Sequence, residues 1–388
     1  MSLSPWPYFD KEQIDAAKNT LESGKVNYWT GNQGRQFESE YSSKFSSKYS
    51  LSLSNGSLAL SSAYLALNLQ KGDEIITTPR TFIATTSSAV LLGLKPIFVD
   101  VDINSGAITS DSIASAITKK TKAIVVVHLA GWPAEMDKIV DLGKKYSIPI
   151  IEDCSQAHGA KINGRNVGSF GDIATWSFCQ DKIITTGGEG GMLTTNNYEY
   201  FNKVWSFRDH GKSRELILKS KNSSSFSWVH ENFGSNFRMT EMQASIGRIQ
   251  LKRLDEWISI RNRNAKILRE YLLDFKQIRI PLPKSNILHS YYKFYCYLDE
   301  NRFLDGWNRK RFLNELNEMG FPGFTGSCSE IYLEKCFKNV EYEKKGNLKN
   351  TVDLGKTSLM FLVHPTISID EMNLYSKTIS NLFKKSLK

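Results

Sequence analysis

The sequence holds only five cysteines in 388 residues (Cys154, Cys179, Cys296, Cys328 and Cys336), odd in number, scattered and without a CxxC pair. That speaks against a disulfide framework or a cysteine zinc site, so no metal is expected, and it fits a reducing, cytoplasmic setting. No stretch approaches the roughly 20 uncharged apolar residues of a membrane-spanning helix, so membrane insertion is not expected. The first residues, MSLSPWPYFDKEQID, lack a basic start followed by an apolar run, which argues against a secretory leader. Internal repeats are missing too, and the short serine-rich patch KNSSSFSW reads as a loop. Nor is there a basic stripe interleaved with aromatics or a recognisable DNA- or RNA-binding module, which sets nucleic acid aside as a partner. The net charge of +10 then has two readings. One is attraction for a polyanionic ligand; the other is a solvated basic surface fed by stretches such as LFKKSLK and EYEKKGNLKN.

What is present is a chain too long for one ordinary core, so two domains are expected. Between about residues 50 and 200, short β-rich runs (SLSLS, EIITT, PIFVDVD, AIVVVHL, IPIIED, DIATWSF and GMLTT) alternate with helix-like stretches. Several of these runs are apolar throughout rather than alternating, which indicates strands buried on both faces of a largely parallel sheet. The expected fold class is α/β: a doubly wound, mostly parallel seven-stranded sheet between helices, binding ligands at the carboxyl ends of its strands. A helical pattern from about Thr240 to Phe275 leads into a smaller C-terminal α+β domain. The division falls at residue 245: 1–245 for the large domain with its N-terminal segment, 246–388 for the linking helix and the small domain.

Two residues of the large domain stand out. Lys182 lies in WSFCQDKIITTGGEGGML, after a strand and before Gly187, Gly188, Gly190 and Gly191, which permit tight turns against a ligand. Asp153 ends the apolar run SIPIIED. Alone, the lysine reads equally as a surface residue and the acid as a helix cap. Together they are what pyridoxal 5'-phosphate chemistry needs: an amine for a Schiff base and a carboxylate that keeps the pyridine nitrogen protonated. Gln156 stands within reach of a ring hydroxyl. Ser54-Asn55-Gly56-Ser57, ahead of a helix, is either a phosphate site or an ordinary cap. Phe82, in TPRTFIATT, is either a stacking ring or a core residue. Asn236 and Arg238 precede the long helix as anion ligands or as capping and surface residues, and His158 reads as structural.

These motifs resemble the DegT/DnrJ/EryC1/StrS family of nucleotide-sugar aminotransferases, of the type I pyridoxal phosphate fold. The matching pieces run in the family's order: SNGSLAL at 54–60, TPRTFIAT at 78–85, HLAGWPAEMD at 128–137, IEDCSQAHGA at 151–160, GSFGDIATWSFCQDKIITTGGEGGM at 168–192, RDHGK at 208–212, GSNFRMTEMQASIG at 234–247 and VHPTI at 363–367. The resemblance implies that Lys182 carries the cofactor, that Asp153 pairs with its ring nitrogen, that Gln156 contacts the ring hydroxyl and that Phe82 stacks on the ring. It implies a phosphate site of Gly56, Ser57 and Ser177, with Asn236 reaching in from the other subunit of a homodimer with shared active sites. Trp29 and Thr30, in VNYWTGNQG, and the stretch FTGSCSEIYLE are candidates for the substrate side. Lysine rather than histidine at position 182 favours transamination over dehydration. The segment from Lys182 to Glu189 is one residue longer than in many members, and Cys154 stands where alanine is frequent.

The implied reaction moves an amino group from L-glutamate, through pyridoxamine phosphate, to a nucleotide-linked keto-deoxysugar, most readily a 4-keto-6-deoxy sugar carried by UDP, dTDP or GDP, for surface glycans such as O-antigen or capsule. The competing readings are a 3-keto sugar or keto-cyclitol aminotransferase, a sugar dehydratase, and a sugar-sensing regulatory protein that keeps the fold without the turnover.

Overall fold

A computed structural model describes residues 3–220 and 227–388 of the chain. The patch KNSSSFSW lies mostly outside the described residues. All seven runs read as strands form strands of one large sheet, and an eighth joins them. Across the sheet the order is Tyr49–Leu53, Gly191–Thr195, Ile173–Ser177, Ile150–Asp153, Thr121–Val127, Glu74–Thr77, Lys95–Phe98 and Glu343–Lys344. From Ile173–Ser177 to Glu343–Lys344 every neighbouring pair is parallel. Gly191–Thr195 alone runs against both of its neighbours. The eighth strand has two residues and comes from the C-terminal half, too short to leave a periodic signal in sequence.

The uniformly apolar strands have a simple cause. Ile76, Ile97, Ile124, Val126 and Ile150 pack on one face with Met136 and Ile139 of the Met136–Tyr146 helix. Ile75, Ala123, Val125, Ile151, Ile173 and Leu193 pack on the other with Ala59, Leu60 and Ala63 of the Gly56–Ala66 helix. Successive residues of a strand enter opposite cores, so neither parity can be polar.

The helix expected from about Thr240 to Phe275 spans Glu241–Leu272 and begins with a capping box between Thr240 and Gln243. Leu251, Leu254 and Ile258 pack beside Phe37, Tyr41 and Trp176, while Ala265, Leu268 and Leu272 join the core of the C-terminal half. That half holds a four-stranded antiparallel sheet of Ile278–Arg279, Phe294–Leu298, Ser358–Phe361 and Gly323–Phe324. Among the described residues no helix is long and apolar enough to cross a membrane.

Candidate active site

The parallel strands end at a cavity of about 1240 Å³. Val127, Asp153 and Ser177, each the last residue of its strand, line it together with Asn55, Gly56 and Ser57 at the start of a helix. Phe82, Gln156 and Lys182 line the same space. Seven of the sequence-predicted cofactor residues (Gly56, Ser57, Phe82, Asp153, Gln156, Ser177 and Lys182), separated by up to 126 positions, thus converge on one site.

The helix entered at Gly56 presents the unpaired amides and positive dipole end of its first turn, and Asn55 caps it by accepting from the Leu58 amide at 2.9 Å. A Cβ on Gly56 would sit 2.7 Å from the Ser177 Cβ, so only glycine permits this approach. Asp153 is 5% exposed; one carboxylate oxygen accepts from the Thr85 hydroxyl at 2.9 Å and the other from the Ser155 amide at 3.2 Å. The Gln156 carbonyl oxygen accepts from the Ala130 amide at 2.8 Å, which leaves its NH2 as the group free to donate. Ala130 has φ +56°, in the tight turn of the HLAG motif. Phe82 is 67% exposed, an aromatic face left uncovered by the chain itself.

Lys182 is held at its backbone: its carbonyl accepts from the Trp6 indole at 2.9 Å and its amide donates to the Cys179 carbonyl at 3.0 Å. Its ammonium lies 3.3 Å from Asp181 and 3.4 Å from the Tyr292 hydroxyl, and Tyr292 donates to Asp181. Burial works to raise the Asp181 pKa, but Lys182, Tyr292 and Lys293 outweigh it and hold the carboxyl below its usual value. Gly187 and Gly188 follow at φ +88° and +128°, conformations that disfavour any side chain.

One residue before Asp153, Glu152 is wholly buried and accepts from the Gly168, Phe170 and Gly171 amides and from His128. His128 accepts the Ala134 amide on Nδ1, so its proton sits on Nε2 and is donated to Glu152 at 3.0 Å. Burial would raise the Glu152 pKa; His128 and the surrounding amides overcome it and keep the carboxylate ionised. Cys154 lies beside this pair, but burial pushes its thiol pKa well up and the other two are spent on hydrogen bonds, so the trio does not suit a cation.

The structure places three predicted residues elsewhere in the chain. Trp29 donates its indole N–H to Asp209 at 2.6 Å and packs edge-on against Trp205. The Thr30 hydroxyl donates to the Asn27 carbonyl at 3.1 Å. Asn236 is exposed, bridged through its backbone to Asp209. None of the three lines the cavity of its own chain. The FTGSCSEIYLE stretch does, through Phe324, Gly326, Ser327, Cys328, Ile331 and Glu334. Sequence reasoning missed Thr85, Asp181, Tyr292 and Lys293. The first two lay inside recognised motifs, but HSYYKFYCYLDE, which holds the other two, reads only as a strand.

A profile of the DegT/DnrJ/EryC1/StrS aminotransferase family matches residues 7–377. The chain belongs to this family. An aminotransferase from Psychrobacter cryohalolentis, a solved structure, is 47% identical over 99% of both chains, with a TM-score of 0.96. A UDP-N-acetyl-3-dehydro-alpha-D-glucosamine 3-aminotransferase from Acidithiobacillus ferrooxidans is 38% identical over 68% of each chain. The Escherichia coli GDP-4-keto-6-deoxy-D-mannose-3-dehydratase, solved with bound hydrated PLP, is 27% identical over 98% of this chain and 100% of its own, with a TM-score of 0.87. The enzyme is an aminotransferase of the type I fold and uses pyridoxal phosphate. The residues present fit that cofactor. Asp153 is a buried carboxylate without an ion-pair partner among the described residues, as a protonated pyridine nitrogen requires. The close Gly56–Ser177 approach forms a cradle that a Cβ would fill.

Proposed function

We propose that this aminotransferase moves the amino group of L-glutamate onto a keto carbon of a nucleotide-linked deoxysugar. The observation that carries the reading is the meeting of Lys182, Asp153 and the Gly56–Ser57–Ser177 cradle in one cavity of about 1240 Å³. That is more than the roughly 300–1,000 Å³ of an ordinary small-molecule pocket, and suits a cofactor with a nucleotide sugar beside it. The two named relatives that act on UDP- and GDP-linked keto sugars support the substrate class. A 4-keto-6-deoxy sugar destined for a surface glycan is the first candidate, and the 3-keto relative supports amination at carbon 3 as the second.

Pyridoxal phosphate, when bound, supplies an aldehyde that captures amines and a ring that accepts the electrons of a broken C–H bond. Lys182 Nζ would hold the cofactor and, once displaced by the donor, take the proton from the donor's α-carbon and deliver it to the carbon that had been the cofactor's aldehyde. Asp153 would hold the ring N–H, its charge favouring the protonated ring. Gln156 would donate its NH2 to the ring oxygen, and Phe82 would cover one ring face. The Gly56 and Ser57 amides with the Ser57 and Ser177 hydroxyls would take the phosphate.

Asn236 would be supplied by a second copy, giving a homodimer with shared sites. Three positions before it Phe233 is 101% exposed, apolar surface that suits a partner. All five cysteines are unpaired, which supports a cytoplasmic setting.

The test is direct. Purified protein is expected to show the visible absorption of a lysine-linked cofactor, to lose it on adding glutamate, and to regain it with the right keto sugar. Lys182→Ala is expected to lack that band and to turn over about a thousandfold or more slowly. Full turnover in the variant would remove Lys182 from the reaction. Product analysis over a panel of 3-keto and 4-keto nucleotide sugars identifies the acceptor.

A further inference from the structure

Once Lys182 is committed to the cofactor, the cavity keeps a second cation. Among the described residues that line it, the cationic side chains are Lys182 and Lys293. Lys293 sits just before the Phe294–Leu298 strand, next to Tyr292. Its ammonium makes no hydrogen bond or ion pair with another described residue; its contact is the face of the Tyr292 ring, 4.8 Å from the centroid. Asp181, the acid that acts on it from a distance, is already engaged by the Tyr292 hydroxyl and by Lys182. Burial pushes the Lys293 pKa down to about 8, with Arg261 and Lys182 adding like charge against the opposing pull of Asp181. An ammonium held this way, in the wall of a ligand cavity and without a counterion, is disposed to accept an anion.

The phosphate end does not call on it, because helix amides and serine hydroxyls serve there. A keto sugar's ring is uncharged, and its anionic nucleotide diphosphate is a competing claimant that a measurement without sugar separates. The amino donor arrives with carboxylates that need a cation, and the cavity offers one. Lys182 Nζ lies 5.1 Å from the Tyr292 ring centre and Lys293 Nζ 4.8 Å from it, so the two are no more than about 10 Å apart. An extended amino-acid dicarboxylate, about 5 Å from nitrogen to far carboxylate, fits that span.

We propose that Lys293 is the carboxylate-binding residue for the amino donor, seating the donor with its nitrogen toward Lys182. This rests on the transamination reading above and adds to it a separate subsite for the first substrate. The experiment uses the cofactor-loaded enzyme and two variants, Lys293→Met and Lys293→Arg. Succinate, a dicarboxylate with no amine to transfer, is titrated calorimetrically, and the glutamate half-reaction is followed by the visible band with no sugar present. Lys293→Met is expected to weaken succinate binding tenfold or more and to raise the glutamate KM by a similar factor, while the visible band is retained. Lys293→Arg, which keeps the charge, is expected to recover most of both. Succinate binding and glutamate KM unchanged in Lys293→Met would overturn the proposal. So would equal losses in Lys293→Met and Lys293→Arg, since packing rather than charge would then be at issue. Wild-type enzyme that binds succinate through Lys293 but is not discharged by glutamate would retain the subsite and reject glutamate as the donor.

Discussion

Asp153 accepts a hydrogen bond from the Thr85 hydroxyl, and Thr85 is linked in turn to Thr81 at 2.9 Å. The chain thereby fixes one carboxylate oxygen before any ligand arrives. Thr85→Val keeps the shape and removes the donor. It is expected to weaken cofactor binding by about 1 kcal/mol, roughly fivefold, in a titration followed by fluorescence. Gly56→Ala places a Cβ 2.7 Å from that of Ser177, so one wall of the cradle must shift. A loss of about 1–3 kcal/mol in cofactor affinity is expected, with little change in far-ultraviolet circular dichroism. The two positions differ in legibility. Gly56 stood out because a glycine before a helix has a local meaning, whereas the hydroxyl of Thr85 acquires its role from a residue 68 positions away.

The seven strands were legible as short β-rich runs, and several carry an apolar stretch that a doubly covered sheet explains. The Glu343–Lys344 strand and the two-residue strands of the C-terminal half were not, because two residues have no period. Glu152 shows how an element is anchored in its place. Its carboxylate gathers three amides of the 168–171 turn and the His128 imidazole, tying the end of the Ile150–Asp153 strand to both neighbouring connections. Glu152→Gln puts an NH2 among donors and replaces a carboxylate that serves three amides and an imidazole N–H. It is expected to destabilise the fold by about 3 kcal/mol in urea unfolding and to reduce cofactor occupancy as a consequence.

For the molecule as a whole, acidification should act through buried imidazoles. Burial pushes the pKa values of His158 and His289 down to about 3, and for His158 the nearby Lys182 and Arg261 add to the effect. His158 packs against Trp176 and Phe178, with no hydrogen-bond partner on either nitrogen among the described residues. In the unfolded chain both take up protons below about pH 6.5, which the folded state refuses, so stability falls as pH drops from 6.5 and is level above it. The limiting slope is about 1.4 kcal/mol per histidine per pH unit. Urea midpoints between pH 8 and 5 check it, and a midpoint unchanged down to pH 5 would contradict the burial argument. The proposed dimer is checked by sedimentation equilibrium, where twice the chain mass of 44.0 kDa is expected. Phe233→Glu is expected to shift the equilibrium toward single chains and to lower activity with it.

Local chemistry was written in the order of residues: which runs must be buried on both faces, where helices begin, and which lysine and which acid stand at the ends of strands. Those features depend on neighbours a few positions apart, and such neighbours are visible along a chain. The Thr85 partner of Asp153, 68 positions away, the company Lys182 keeps with Tyr292, 110 positions away, and the position of Lys293 at the same cavity depend on long backbone crossings. Only folding decides which distant side chain meets a given carboxylate, because those contacts follow from sheet order and helix packing rather than from any local pattern.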